Sequence, residues 1–340
     1  MILAIALSAF VLIFWTMFFQ PPPPPIEKEL NRSENIQENN EISSPSIETE
    51  TKENILSRNN SLSLTKRISI ENENISGSIS LTGGIIDDIS FKNYKKNIGS
   101  EEKVILLSPK NFNDGYYIET GWVSNSEKDL PNNKTEWSVI GNSKLTPNNS
   151  VTLEWINKNG VKFLKTIELD EKFLFRINQK IQNPGNITHD FYPYAQIIRN
   201  KKPEVSGFII LHEGFIGVFD EELKEEDYED IEEKKFTGNF SSGWLGITDK
   251  YWITAIVPEK NKNFRSEFIY DKSNKSYKAN FILNKSIQSF PKQTISNEIR
   301  IFTAAKEVTV IDSYAKTQEI EKFDLTIDWG WFYFFTKPLF

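Results

Sequence analysis

From Met1 to Phe19 the chain carries no charge, and only Ser8 and Thr16 interrupt the apolar run. At about 1.5 Å per helical residue this stretch matches a hydrocarbon thickness of roughly 30 Å, so the pattern predicts a transmembrane anchor over residues 1–20. A cleaved secretion signal is the rival reading. The length of the run, its ending in Trp15, Phe18 and Phe19, and the lack of a small-x-small cleavage site favour a retained anchor. Pro21 to Pro25 end the helix, and residues 26–64 hold no aromatic residue but many Glu, Asn and Ser. Such a stretch cannot bury enough apolar surface to offset its ordering entropy, and residues 21–64 read as a disordered tether.

Beyond Thr65 the pattern changes to short β-branched and aromatic runs separated by Gly, Pro, Asn and Asp. Val151–Ile156 and Val161–Ile167 alternate in steps of two around Asn157-Lys-Asn-Gly160, which predicts a hairpin. Further strands are expected at 85–91, 104–107, 116–122, 173–182, 191–199, 251–257, 266–270 and 278–283. No fixed-period repeat and no alternation with helices is present, so residues 65–317 read as a mainly β, many-stranded sandwich. The pattern changes again at 318–340. From Asp328 on, nearly every side chain is aromatic or aliphatic, and Pro338 would kink or end a helix. Trp329, Trp331, Phe332, Tyr333, Phe334 and Phe335 suit the headgroup region, with Lys337 able to snorkel to phosphates, so an interfacial helix is expected. A final buried strand or core helix is the alternative.

Composition narrows the chemistry. A net charge of -7 argues against nucleic acid as a partner. The absence of cysteine excludes disulfides, thiol catalysis and thiolate zinc sites. His189-Asp190 and His212-Glu213 could serve a sugar mutarotase, where imidazole and carboxylate share proton transfer, but neither pair has a spacing that sets a catalytic geometry; both read as surface or turn residues. Asp220–Glu233 lacks the residue order of a calcium loop and reads as a solvated charged excursion pinned by Leu223, Tyr228 and Ile231. Thr82-Gly83-Gly84 and Ser206-Gly207 are too short to cradle phosphate, and no dinucleotide or Walker motif is present. No cofactor, metal or catalytic residue is expected.

Several blocks, in order, resemble one family. ILAIALSAFVLIFW with FFQPP, then GSISLTGGIIDDISFKNY, VILLSP, YYIETGW, SGWLGITDKYWITAIVP, FTAAKEVTVIDSY and FDLTIDWGWFYFFTKPLF are similar to the N-terminal part of bacterial YidC membrane-protein insertases. The block from Ser242 to Pro258 is the most specific, and Gly243, Trp244, Leu245, Gly246, Asp249, Lys250, Tyr251 and Trp252 are its signature positions. The resemblance implies a β-supersandwich periplasmic domain like that of mutarotases, a cytoplasmic N-terminus and a single-pass chain in the bacterial inner membrane. It also implies chaperone and insertase work on nascent membrane proteins, alone or with Sec translocon subunits, in contact with inner-membrane lipids. The helix bundle that forms the family's insertase core does not follow Phe340 here. The expectation is therefore a fragment or split reading frame whose residues do not insert proteins by themselves. Two further readings stay open: a membrane-tethered carbohydrate-binding or aldose-epimerising domain, and a scaffold for translocon assembly.

Overall fold

Asn157 shows how local chemistry builds the predicted hairpin. Its side-chain oxygen accepts hydrogen bonds from the backbone N–H groups of Asn159 (3.0 Å) and Val161 (2.8 Å), and Gly160 adopts the positive φ of 79° that closes the turn. In the computed structural model, which describes residues 44–45, 56–203 and 211–328, this turn joins two strands of a large sandwich. The expected anchor (1–20), most of the tether and the aromatic ending from Trp329 lie outside the described residues. Among the described residues no helix is long and apolar enough to cross a membrane.

The strands in chain order are β1 (Arg67–Glu71), β2 (Ile75–Ser80), β3 (Ile85–Lys95), β4 (Lys103–Leu107), β5 (Tyr116–Val123), β6 (Ser138–Ile140) and β7 (Lys144–Leu145). Next come β8 (Val151–Ile156), β9 (Lys162–Leu169), β10 (Leu174–Gln182), β11 (His189–Arg199), β12 (Gly214–Phe219), β13 (Glu222–Asp227) and β14 (Phe236–Phe240). The last are β15 (Gly243–Thr248), β16 (Trp252–Val257), β17 (Phe264–Asp271), β18 (Ser276–Leu283), β19 (Ile287–Ser289) and β20 (Thr294–Ala305). One sheet runs β14-β17-β18-β11-β5-β3-β2-β1-β7, with β4 on β3 and β19 on β11; the other runs β13-β12-β15-β16-β20-β10-β9-β8-β6. Pairing is antiparallel except for the short β1–β7 contact.

Rings from both sheets meet in the core. Phe163 of β9 contacts Trp122 of β5 (5.3 Å) and Phe191 of β11 (5.8 Å), and Phe215 of β12 stacks on Phe268 of β17 (5.0 Å). Burial of each such side chain contributes about 1.5–3 kcal/mol, which makes this core the main source of stability. Every strand expected from the sequence is present within a few residues of its expected limits. Three strands not expected from the sequence are β12, buried at every position, β15, buried at all but its first, and β20, buried from Ile299 onward; over these stretches the alternation that marks a half-exposed strand is missing.

Two expectations need correction. Residues 220–233 are not an excursion: β13 pairs along β12 as an edge strand, and helix α2 (Tyr228–Glu233) follows. Tyr228 and Ile231 are buried as expected, but Leu223 is 40% exposed, because an edge strand leaves one row of side chains in water. His189 is neither a surface nor a turn residue. It begins β11 and is 8% exposed, between Glu127 and Phe191. Within the span read as tether, residues 58–63 form helix α1 (Arg58–Ser63), capped by the Ser57 hydroxyl and tied to the sandwich by an Arg58–Asp88 ion pair.

Candidate functional site

Two helical pieces close the described chain. Helix α3 (Val308–Thr317) buries Val310, Ile311 and Tyr314, whose hydroxyl donates to Asp170 Oδ2 (2.6 Å). A single 3-10 turn follows at Phe323–Thr326. The segment between them is held by the block singled out in the sequence. Trp244, fully buried on β15, donates its indole N–H to the carbonyl of Glu321 (2.9 Å), and its ring meets Phe323 edge-on at 5.5 Å. The Ser242 hydroxyl donates to the Glu321 carboxylate (2.8 Å), Lys322 Nζ donates to the carbonyl of Glu221 (2.5 Å), and Arg300 donates to the carbonyl of Gln318 (2.7 Å). Phe323 is completely buried and also contacts Phe302 (5.1 Å). The backbone N–H of His212 donates to Asp328 Oδ2 (3.1 Å), at the last described residue.

The glycines of this block are required by packing. A Cβ on Gly246 would lie 2.3 Å from the carbonyl oxygen of Thr254, and one on Gly243, at φ 129°, would lie 1.9 Å from that of Val218. Leu245 is buried beside them. Asp249 accepts from Arg199 (2.6 Å), which also donates to the Tyr228 hydroxyl (3.2 Å) and lies over the Tyr116 ring at 4.7 Å. Lys250 and Tyr251 form the tip between β15 and β16, with the Lys250 ammonium 5.1 Å from the Tyr251 ring centre. Trp252 stacks on Phe91 of the opposite sheet at 4.9 Å. The expected interface residues Trp329, Trp331, Phe332, Tyr333, Phe334, Phe335 and Lys337 lie outside the described residues.

Tyr251 and Trp252 line a large open cleft of about 1420 Å³. Its walls carry eight Lys and Arg against four Asp and Glu, and three of the cations, Arg58, Arg199 and Lys202, pair with Asp88, Asp249 and Glu229 from outside the lining. Lys306 donates to Thr248 Oγ1 (3.1 Å); burial brings its ammonium down to about 8, against the pull of Asp249, Asp328 and Glu213. Tyr94, on the same wall, donates to Glu307 (2.9 Å) and is raised to about 12 by burial and by that carboxylate. Neither histidine lines the cleft. His212 faces Asp227 (3.2 Å) and the carbonyl of Phe215 (2.9 Å), and His189 stands apart from it on β11.

A second polar group was missed from sequence. Glu119, Gln196, Asn280 and Glu267 stand directly opposite one another across β5, β11, β18 and β17, forming a buried row on one sheet face. Lys165 of β9 is 2% exposed; its ammonium donates to the carbonyl of Thr120 (2.6 Å) and lies 4.9 Å from the Trp137 ring centre. Burial brings Lys165 down to about 7, opposed by Glu119, while burial pushes the Glu119 carboxyl up against its bond from Gln196. The void that Lys165, Glu119, Trp137 and Tyr194 share is about 10 Å³. That is room for about one water, whereas ligand pockets run to about 300 Å³ and more. One signal was available: Val161, Phe163, Lys165 and Ile167 alternate with the outward residues of β9, which places a lysine at an inward position.

The family model of the YidC periplasmic domain matches residues 67–340. The chain belongs to the YidC periplasmic-domain family. It is 49% identical over 340 residues to the membrane protein insertase YidC of Pelagibacter ubique (strain HTCC1062), a match covering 100% of this chain and 60% of that protein. The YidC insertases of Agrobacterium fabrum and Rickettsia bellii are 38% and 41% identical, covering 83% and 81% of this chain and 48% and 50% of their own lengths. The chain thus spans about half to three-fifths of these YidC relatives. Among solved structures, a galactose mutarotase related enzyme from Lactobacillus acidophilus is similar at 10% identity and a TM-score of 0.49, over 70% of this chain and 97% of its own. That likeness carries no functional weight.

Proposed function

We propose that the protein is the N-terminal, periplasmic part of a membrane-protein insertase and chaperone of the bacterial inner membrane. In this reading residues 1–20 anchor the chain with the N-terminus in the cytoplasm, and residues 21–64 set the reach of the β-domain. The β-domain is a non-enzymatic module that meets nascent membrane proteins, alone or with Sec translocon subunits. Residues from Trp329 to Lys337 rest at the membrane interface. The observation that carries the reading is the seating of residues 318–328 in the socket of β15. Trp244, Ser242, Arg300 and the Lys322 side chain fix this segment on the sandwich, as a positioning module requires. Neither histidine lies in the cleft, so the sugar-epimerising alternative has no imidazole–carboxylate pair where a sugar would fit.

A chimera tests this. This chain joined to the remaining part of the Pelagibacter ubique relative should restore membrane-protein insertion in cells depleted of their own insertase. In that chimera, deleting residues 328–340 should impair insertion more than deleting residues 26–64. Failure to complement although the chimera accumulates in the membrane would overturn the proposal. Equal loss from the two deletions would overturn the role given to the C-terminal segment.

A further inference from the structure

Both ends of the β-domain border the basic cleft. Arg58 lines it, and Leu56 forms a β-bridge with Phe112, another lining residue. At the other end Lys306 lines it, and Asp328, the last described residue, acts electrostatically on Lys306. The two ends constrain the domain unequally. The roughly thirty residues before Leu56 could span about 100 Å when extended, so the entry point imposes no orientation. Trp329 begins the aromatic run immediately after Asp328. If that run lies at the interface, the mouth of the cleft is held at the membrane surface.

The rim has the chemistry such a surface selects. Ile98, at the tip between β3 and β4, is fully exposed; Ile105 and Tyr251 are exposed at 46% and 57%. Lys250 accompanies Tyr251. Exposed aliphatic and aromatic side chains beside lysines are the composition of a headgroup-level contact. Behind them stand Lys95, Lys96, Lys103, Lys201 and Lys202, the last paired with Glu229 and Glu232. Lys95 and Lys96 pair with Glu101 and Glu102, whose side chains are 98% and 73% exposed. Exposed pairs of this kind contribute about 0–1 kcal/mol, so exchanging a carboxylate for a lipid phosphate costs little.

We propose that this cleft and its rim dock on the bilayer and take the anionic headgroups of phospholipids. The occupant is a lipid phosphodiester rather than an acidic peptide, because the rim's apolar side chains and the short exit from Asp328 both point to a membrane plane. The proposal rests on the membrane-bound reading above, and its test separates the two.

The chain has no cysteine, so single labels are unambiguous. The full chain, carrying Ile98→Cys with a polarity-sensitive dye, is reconstituted in nanodiscs of phosphatidylcholine alone or mixed with phosphatidylglycerol. A control carries the dye at Asn148→Cys, an exposed position between β7 and β8. The expected result is a blue shift at position 98 only in discs containing phosphatidylglycerol, with none at 148. Each basic residue near an anionic surface is worth about 1 kcal/mol, so adding Lys96→Glu and Lys103→Glu should weaken the phosphatidylglycerol dependence at least about tenfold at low salt. An equal shift in both lipids, no shift in either, or the same shift from inorganic phosphate alone would overturn the docking proposal while leaving the membrane-bound reading intact. A chain that does not enter nanodiscs at all would overturn both.

Discussion

Trp244 and Lys165 are both buried, and their environments give opposite consequences. Trp244 fills its site and satisfies its one donor on the Glu321 carbonyl. Trp244→Ala should lower stability by about 3–5 kcal/mol, through lost burial and the cavity left behind, and Trp244→Phe by about 1 kcal/mol for the hydrogen bond. Urea midpoints with an unchanged denaturant slope would check both. Lys165 is destabilising at neutral pH, because its ammonium is held down to about 7 while the unfolded chain keeps the usual 10.5. Between these values the unfolded state binds more protons, so this residue makes stability rise with pH by up to about 1.4 kcal/mol per unit, and below 7 its contribution is flat. Glu119, raised by burial, acts in the opposite sense from the usual carboxylate range upward. The difference in urea midpoint between the wild type and Lys165→Met should therefore narrow from pH 7 to pH 10. A constant difference would show that Lys165 is charged throughout.

At the level of elements, the C-terminal segment belongs to the sandwich physically. Ile320 and Phe323 are part of the core, and Gln318 and Glu321 supply acceptors to Arg300 and Trp244. A chain ending after Thr317 loses both apolar side chains and leaves the Trp244 indole without its partner. The expected cost is at least about 5 kcal/mol, comparable to the whole stability of many domains. Thermal melting of chains ending after Thr317 and after Asp328 measures it; equal melting temperatures would mean that the segment is only laid on the surface. β13 shows a different use of an element. Its Glu-Leu-Lys-Glu-Glu-Asp sequence pairs fully with β12 while keeping charges along an open edge, which discourages pairing with another chain.

Across the whole molecule, the charge is distributed against its average. A chain at -7 gathers a basic excess in one cleft, and that cleft lies where the chain enters and leaves the β-domain. The chain matches the YidC periplasmic domain and spans only part of its YidC relatives. The socket on β15 and the cleft share the β15–β16 unit. Trp244 grips the departing segment from β15, while Tyr251 of the connecting tip and Trp252 of β16 line the cleft.

Local periodicity was enough for the elements that have one face in water. The β8–β9 hairpin was legible because its alternation and its Asn-Lys-Asn-Gly turn are properties of neighbouring residues. The signature block at 242–252 was legible as a resemblance, but its work was not: nothing in Trp244 names Glu321 or Phe323 as its partners. Strands such as β12, covered on both faces, lose the alternation by which a strand is read. β13 was hidden for the converse reason, since its charges describe the water beside it and its hydrogen bonds describe β12. The cleft draws cations from Arg58 to Lys306, and the buried row of Glu119, Gln196, Asn280 and Glu267 comes from four strands. Such sites are set by which strands become neighbours, a long-range choice that the packing of the two sheets makes, because only their joint burial repays the loss of chain entropy.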